Sequence, residues 1–329
     1  MDKNTKIIVI GFGSIGQRHY RNLVGLGYEN VCVYDLKKEK IGEGIKTINK
    51  LTKEELSQFK VAFICTPNHQ HVKAALIAAQ AKCHLFIEKP PSHNLKDVDR
   101  LVRICKKNKL ITLIGCNLRF DPSVRKIKDL IDQGKVGKVF VIYLEYGRYL
   151  PYQRPKADYR KVYAANKSMG GGVILDDFHD FDLLFWFNDF KKVKRASFVF
   201  DKLSGLDMDV EDIGNCTLCF ENEVIGNIKC DYLQQYKHRN CKVIGEKGNL
   251  NWDFRDNTIY FEYFNKENQE KKEKVFEVGS VDPNQMYIDE FKYFLEKIDK
   301  NEDTFNNLEK SLKVLKAILN GKKKWGSIN

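Results

Sequence analysis

A chain that opens KIIVIGFGSIGQRHYRNL and continues to VCVYD has little choice about how its folding begins. Ile7 to Ile10 form an apolar, β-branched run; Gly11, Gly13 and Gly16 follow at once, and Ile15, Leu23 and Val24 recur at helical spacing. Gly27 supplies a left-handed stop, and Val31 to Tyr34 reads as a second buried strand ending in Asp35. Strand, glycine turn, helix and strand in that order form a dinucleotide-binding βαβ unit. The first glycine permits the tight turn, the second lets backbone approach a pyrophosphate, and the third lets helix pack on strand. Phe12, Ser14 and Ile15 complete the cradle, at a helix N-terminus whose free N–H groups face the phosphates. Asp35, about 20 residues past the last glycine, is placed to accept hydrogen bonds from the adenosine ribose. Its charge favours NAD over NADP, and Lys37 and Lys38 beside it keep NADP open.

At 329 residues the chain exceeds one core of ordinary size. Two domains are expected, a nucleotide-binding domain over 1–120 and a second over 121–329. No apolar run approaches a membrane span and MDKNTK lacks a signal peptide's apolar region, so a cytoplasmic protein without membrane contact is expected. The net charge of +12 is spread from Lys37 to Lys324 and favours a lysine-rich solvated surface, or an acidic ligand, over nucleic-acid binding. Nine cysteines fall mostly inside strand-like runs, which suits buried thiols. Cys216 and Cys219 lie on one predicted strand, where residues three apart face opposite ways, so no metal site is expected.

Beyond Asp35 a short strand is expected at Ile45 to Ile48, then a helix near Lys53 to Gln58. VAFICTP, LFIEKPP and ITLIGCN read as further buried strands, with helices at Gln70 to Gln80 and from Asn94, as its cap, through Cys105. Strands alternating with helices predict a doubly wound parallel sheet complete by Asn117. Thr66, Pro67 and Asn68 then stand at the carboxyl edge where ligands bind. Asp121 and Pro122 open the next helix. From Lys138 the rhythm changes to short strands divided by turns such as GEKGN and RDN, which predicts a mostly antiparallel sheet. Helices interrupt it at 173–187 and cover it near 284–298, NKENQEKKEK reads as a polar loop, and Leu308 to Leu319 is an amphipathic helix.

Three places carry polar groups beside apolar runs. Glu88 and Lys89 end a central strand, where a charged pair is expensive to bury without purpose. In GGGVILDDFHDFDLLFWF, Asp176, His179 and Asp182 are three apart, so on a helix either carboxylate could orient the imidazole for proton transfer. A core histidine behind a helix start enriched in acids is the plainer reading. GRYLPYQRPKADYRKVY carries Arg148, Arg154, Arg160 and four tyrosines suited to a polyhydroxylated or anionic ligand, or to a solvated loop.

GFGSIGQRH, TPNHQH, EKP, NLRFDP, GGGVILDDFHDFD, and YLQ followed by VIGEKGNLNWDF together resemble the glucose-fructose oxidoreductase, inositol dehydrogenase and MocA family along almost the whole chain. DYR before GGG, and the spacing of three between Asp176 and His179, resemble its branch linked to sialic and related acyl-sugar pathways. The resemblance implies a Rossmann domain followed by an open antiparallel α/β domain, with NAD(P) and a sugar or nucleotide-sugar substrate meeting between them. It implies Lys89 and His179 as catalytic residues with Asp176 beside them, and His71, Glu88 and Lys89 at the cofactor. Asn117, Arg119, Tyr159, Arg160 and Asp182 are the expected substrate contacts. The implied activity is reversible hydride transfer at a sugar carbinol; some relatives are instead redox-neutral NAD-dependent glycosidases, and one is a non-catalytic repressor. A dimer or tetramer through the second sheet is also expected. Lys82 replaces the family's glycine before the central strand.

Overall fold

The computed structural model describes residues 1–153, 158–279 and 281–324. The chain divides into two compact units, Met1–Asn117 with Pro283–Leu315, and Leu118–Asp282 with the residues from Lys316 onward. The segment 283–315, expected in the second domain, thus packs with the first.

In the first unit five parallel strands are β1 (Ile7–Ile10), β2 (Val31–Tyr34), β3 (Val61–Ile64), β4 (His84–Glu88) and β5 (Thr112–Gly115), in the order β2-β1-β3-β4-β5. Apart from the alternating β2 and the first residue of β4, these strands are buried along their length, as a parallel sheet with helices on both faces requires. The order reverses between β1 and β3, the switch point at which open α/β sheets bind ligands. Helices α1 (Ser14–Gly25), α2 (Lys53–Leu56), α3 (His71–Gln80) and α4 (Val98–Lys107) make the crossovers. The expected strand at 45–48 is only a bridge between Val33 and Thr47. Asn94 does not cap α4: its Oδ1 accepts the Lys96 N–H in a local turn, and the helix starts later, after Asp97 at φ 59°. Lys82 sits at φ 64°, the left-handed conformation a glycine would take without strain.

In the second unit, α5 (Pro122–Asp132) begins as expected, Asp121 accepting the Ser123 and Val124 N–H groups. Its eight strands are β6 (Val139–Gly147), β7 (Val193–Asp201), β8 (Ile213–Phe220), β9 (Ile225–Asp231), β10 (His238–Gly245), β11 (Gly248–Asp253), β12 (Thr258–Phe264) and β13 (Glu270–Glu277). They run in the order β13-β12-β11-β10-β6-β9-β8-β7 and pair antiparallel except β6 with β9. Cys216 is buried and Cys219 half-buried on alternate sides of β8. The stretch read as a polar loop runs into β13 from Glu270: its lysines and glutamates suit an exposed edge strand, where charge discourages further pairing. Helices α6 (Leu150–Gln153), α7 (Val173–Asp176) and α8 (Phe178–Phe187) precede β7. The single helix expected at 173–187 is broken at Asp177, where ψ is 34°.

Helix α9 (Gln285–Lys300) covers the parallel sheet, not the antiparallel one. Its Phe291, Phe294, Leu295 and Ile298 join Phe63, Phe86 and Leu113 in one core. The chain beyond it pairs with the β5 edge: Asn306 accepts the Ile114 N–H at 3.0 Å and donates through its amide to the Ile114 carbonyl at 2.9 Å. Thr112 Oγ1 accepts the Leu308 N–H at 3.0 Å, where α10 (Leu308–Lys324) starts. Among the described residues no helix is long and apolar enough to cross a membrane.

His84 opens β4 and its Nδ1 accepts the Ile111 N–H at 3.0 Å, a bond only the neutral ring can make. Burial, then Lys60, lowers its pKa from 6.5 to about 4. A lowered folded pKa means the unfolded chain binds the proton first as pH falls, so stability is complete above about pH 6.5 and declines toward pH 4. Allowing for partial exposure, the loss is about 2 kcal/mol. Urea unfolding between pH 7 and 4 should show this loss in the natural chain and a shallower one in His84→Gln; equal slopes would refute the assignment.

Candidate active site

At the switch point of the first unit, Gly11 has φ +96°, and a Cβ there would lie 2.6 Å from the Cys65 carbonyl carbon and the Thr66 nitrogen. A Cβ on Gly16 would overlap the Gly11 carbonyl, whereas one on Gly13 would meet no atom within 4 Å. The glycines therefore do what the sequence requires of them: two permit backbone on backbone, and the third leaves the approach open. No side chain caps α1 and no acid lies in its first turn, so its N-terminal N–H groups are left to an anion. Asp35 accepts the Phe12 N–H at 2.6 Å and the Lys37 N–H at 2.8 Å, which fixes a half-buried carboxylate beside the glycine turn with acceptor capacity remaining. Thr66 Oγ1 is buried without a protein partner, Asn68 is buried and Pro67 exposed, at the end of β3. Ser14 is exposed, Ile15 half-buried and Phe12 buried. These residues fit a dinucleotide: acceptors for a ribose diol, donors for a pyrophosphate, and an orphan hydroxyl between.

Lys89 follows β4 at the same carboxyl edge, half-buried. His71, expected at the cofactor, is 1% exposed and lies between two backbone carbonyls, Nδ1 2.9 Å from Pro90 O and Nε2 2.6 Å from Thr66 O. Its side chain braces protein rather than offering a surface to a ligand. Glu88 is also buried, 2.5 Å from Nε2 of the fully buried His19. Sequence reasoning gave His19 no role, although it closes the stretch GFGSIGQRH.

In the second unit α7 and α8 bring four aspartates into a buried row, each with a cation from another element. Asp176 receives Arg148, Tyr163 and Tyr232, the last at 2.8 Å. Burial lowers the Arg148 pKa, but Asp176 and then the surrounding tyrosines raise it further, so this cation is permanent. Burial, then Asp176, raises the Tyr232 hydroxyl well above its usual range, which keeps it a donor. Arg239 joins Asp180 and, at 3.0 Å, Asp177, with its guanidinium 4.1 Å from the Tyr146 ring centre. Burial raises the Asp180 pKa and Arg239 opposes it. His179 stands half-buried within this row. Arg148 and Tyr163 lie in the loop singled out for its arginines and tyrosines, Tyr232 in YLQ, and Arg239 in a strand that gave no signal.

Two expected substrate contacts prove structural. Arg119 and Asp182 are wholly buried in a two-pronged ion pair, Nε to Oδ2 2.6 Å and Nη2 to Oδ1 2.8 Å, with Trp186 and Phe190 packed on the guanidinium. Arg160 is exposed and pairs with Asp158. The Tyr159 hydroxyl accepts the Asp207 N–H at 3.0 Å, and Asn117 is buried after β5. Arg154 lies outside the described residues. Among the described residues no cluster of three or more histidine, cysteine or acidic side chains is arranged to hold a metal.

Residues 5–116 match the oxidoreductase family with NAD-binding Rossmann fold, and residues 124–251 the GFO/IDH/MocA C-terminal domain. A myo-inositol 2-dehydrogenase of Thermotoga maritima is 30% identical over 267 residues, 77% of this chain and 75% of that protein. A 2,7-anhydro-N-acetylneuraminate hydratase of Mediterraneibacter gnavus is 28% identical over 123 residues, 37% of this chain and 32% of that protein. The solved structure of a levoglucosan dehydrogenase with NADH has a TM-score of 0.84 at 16% identity, over 98% of this chain and 97% of that chain, a likeness of fold.

The buried ion pair yields a stability prediction. Arg119→Met strands the Asp182 charge and should destabilise the protein by about 3–5 kcal/mol, while adding Asp182→Leu should recover most of that. Denaturant unfolding of the three chains checks it, and a single variant as stable as the natural protein would refute it.

Proposed function

The chain belongs to the GFO/IDH/MocA family of NAD-binding oxidoreductases, and on that premise we propose that it interconverts a secondary alcohol and a ketone on a sugar, acyl sugar, nucleotide sugar or cyclic polyol. The observation that carries the reading is one sheet edge bearing an open glycine turn, Asp35 and Lys89 together. The first unit holds the dinucleotide through the α1 N-terminus, Thr66 and Asp35, and the Asp35 carboxylate favours NAD because a 2′-phosphate would meet its charge. The bound nicotinamide supplies the hydride acceptor. His179 takes the proton of the reacting hydroxyl, and the Lys89 ammonium donates to the same oxygen as negative charge develops on it. Asp176, given three donors, is held in place and orients its surroundings. Asn117 and Tyr159 remain the proposed substrate contacts.

The test is a panel of myo-inositol, free and N-acyl sugars and UDP-sugars, followed as NADH absorbance. Lys89→Ala and His179→Ala should each lower kcat by about 100-fold or more while NADH affinity, read by fluorescence, stays within about threefold. Full turnover in either variant would remove the mechanism.

We also propose a homodimer through the outer face of the eight-stranded sheet. The register sets Val141 between Ile225 and Ile244, and Tyr143 and Ile225 are 42% and 39% exposed. An apolar band of this kind on an otherwise polar sheet suits a second copy. Sedimentation should give a dimer or its multiple for the natural chain and a monomer for Tyr143→Glu with Ile225→Glu; a natural monomer would refute it.

A further inference from the structure

His19 and His71 come from different helices and reach either side of the same residue. His19 Nε2 meets the carboxylate of Glu88, the residue before Lys89, and His71 Nδ1 meets the carbonyl of Pro90, the residue after it. The His19 ring is enclosed by Phe63, Phe86, Tyr287 and Phe291, with centroids 4.7 to 6.1 Å away. A carboxylate only accepts, so Nε2 donates to Glu88, and the buried Nδ1 has no protein partner. The second nitrogen of His71 lies 2.6 Å from the Thr66 carbonyl, and because His71 itself follows the turn after β3, an Nδ1–H bond to Pro90 ties that turn to the turn after β4. Desolvation lowers the His71 pKa, against the two carbonyls and Glu88, with His69 assisting the decrease. The neutral ring has one N–H and bonds one carbonyl; with the proton on Nδ1 it donates to Pro90, and that bond is the brace.

We propose that His19 and His71 are positioning residues that fix the backbone on which Lys89 stands, a role that rests on the catalytic reading of Lys89. A lysine ammonium hangs on four rotatable bonds, so the protein controls its reach first by where the main chain is anchored. Glu88 is gripped through its side chain and Pro90 through its backbone, so the peptide between them is held at both ends. A shift of about 1 Å in such a group is enough to cost about 100-fold in rate. Neither histidine need touch substrate to matter.

The intact protein tests this with four variants, His19→Phe, His71→Phe, His19→Gln and His71→Gln. At position 19 phenylalanine suits the aromatic cage and removes only the polar contact, and at position 71 it removes the ring nitrogens that face the two carbonyls; glutamine restores a donor at either. With NAD and the best substrate of the panel, each phenylalanine variant should lose about 30-fold or more in kcat, with KM and NADH affinity within about threefold. His19→Gln should recover to within about fivefold of the natural rate. In a Lys89→Ala background either phenylalanine change should alter the residual rate by less than about twofold, because the residues act through that lysine. Hydrogen exchange, which needs no substrate, should quicken in His71→Phe at 66–71 and 88–94 and nowhere else. If a phenylalanine variant fails to fold, the matching leucine variant, His19→Leu or His71→Leu, carries the comparison. Unchanged kcat in the phenylalanine variants, or unchanged exchange at 88–94 in His71→Phe, overturns this proposal while leaving Lys89 catalytic. Loss of kcat, KM and NADH binding together with faster exchange throughout makes the histidines general supports and overturns it as well. A fully active Lys89→Ala overturns the catalytic reading, and the proposal falls with it.

Discussion

Four buried carboxylates within seven residues, Asp176, Asp177, Asp180 and Asp182, set the terms for the second unit. An ionised carboxylate taken out of water without a partner costs several kcal/mol, so a helix bearing four can be buried only where cations are delivered to it. Arg148, Arg239 and Arg119 make that delivery, from the end of β6, from β10 and from the turn before α5. Each guanidinium docks a different part of the chain onto α7 and α8, so the same pairs that neutralise the acids also dictate the packing around His179. The helix break at Asp177 belongs to this scheme. It turns Asp176 toward Arg148 and two tyrosines, and lets Asp177 share Arg239 with Asp180.

The nucleotide-binding half was legible because its signals are local. A buried parallel strand is a short apolar run, and a glycine that must accept backbone within 2.6 Å has no substitute; both stand in the sequence where they act. The second unit was legible only as a class. Turn residues announce antiparallel strands, but the parallel pairing of β6 with β9 joins residues more than 80 positions apart, which no short pattern encodes. β13 was missed because an exposed edge strand made of lysine and glutamate has the composition of a loop. Helix α9 was expected near 284–298 and assigned to the wrong sheet, since a helical pattern says that a helix must be covered and not by what.

The site residues divide the same way. Lys89 and His179 stand out as charged or titratable groups against apolar runs, whereas their supports do not. Arg119 and Asp182 looked like substrate contacts because a polar residue near a suspected site invites that reading; their mutual burial identifies them as structure. Arg239 lies in HRNCKVIG, where nothing distinguishes it from a solvated lysine or arginine until Asp177 and Asp180 are found around it. A partner for a buried charge is a long-range property, legible only in three dimensions.

That distinction bears on what the rigid parts of this protein are for. His71 joins two turns that belong to separate strands, and its two carbonyl partners are atoms every residue possesses. The neighbours' side chains could therefore change freely while the brace remained, provided position 71 kept a ring nitrogen that donates and the burial that holds it. His19 is the opposite case, because its partner is the side chain of Glu88 and an exchange at either end strands the other. One brace is thus tolerant of the sequence around it and the other demands a matched pair. A lysine anchored by both is displaced when either fails, so the two positions are held by different constraints to the same end.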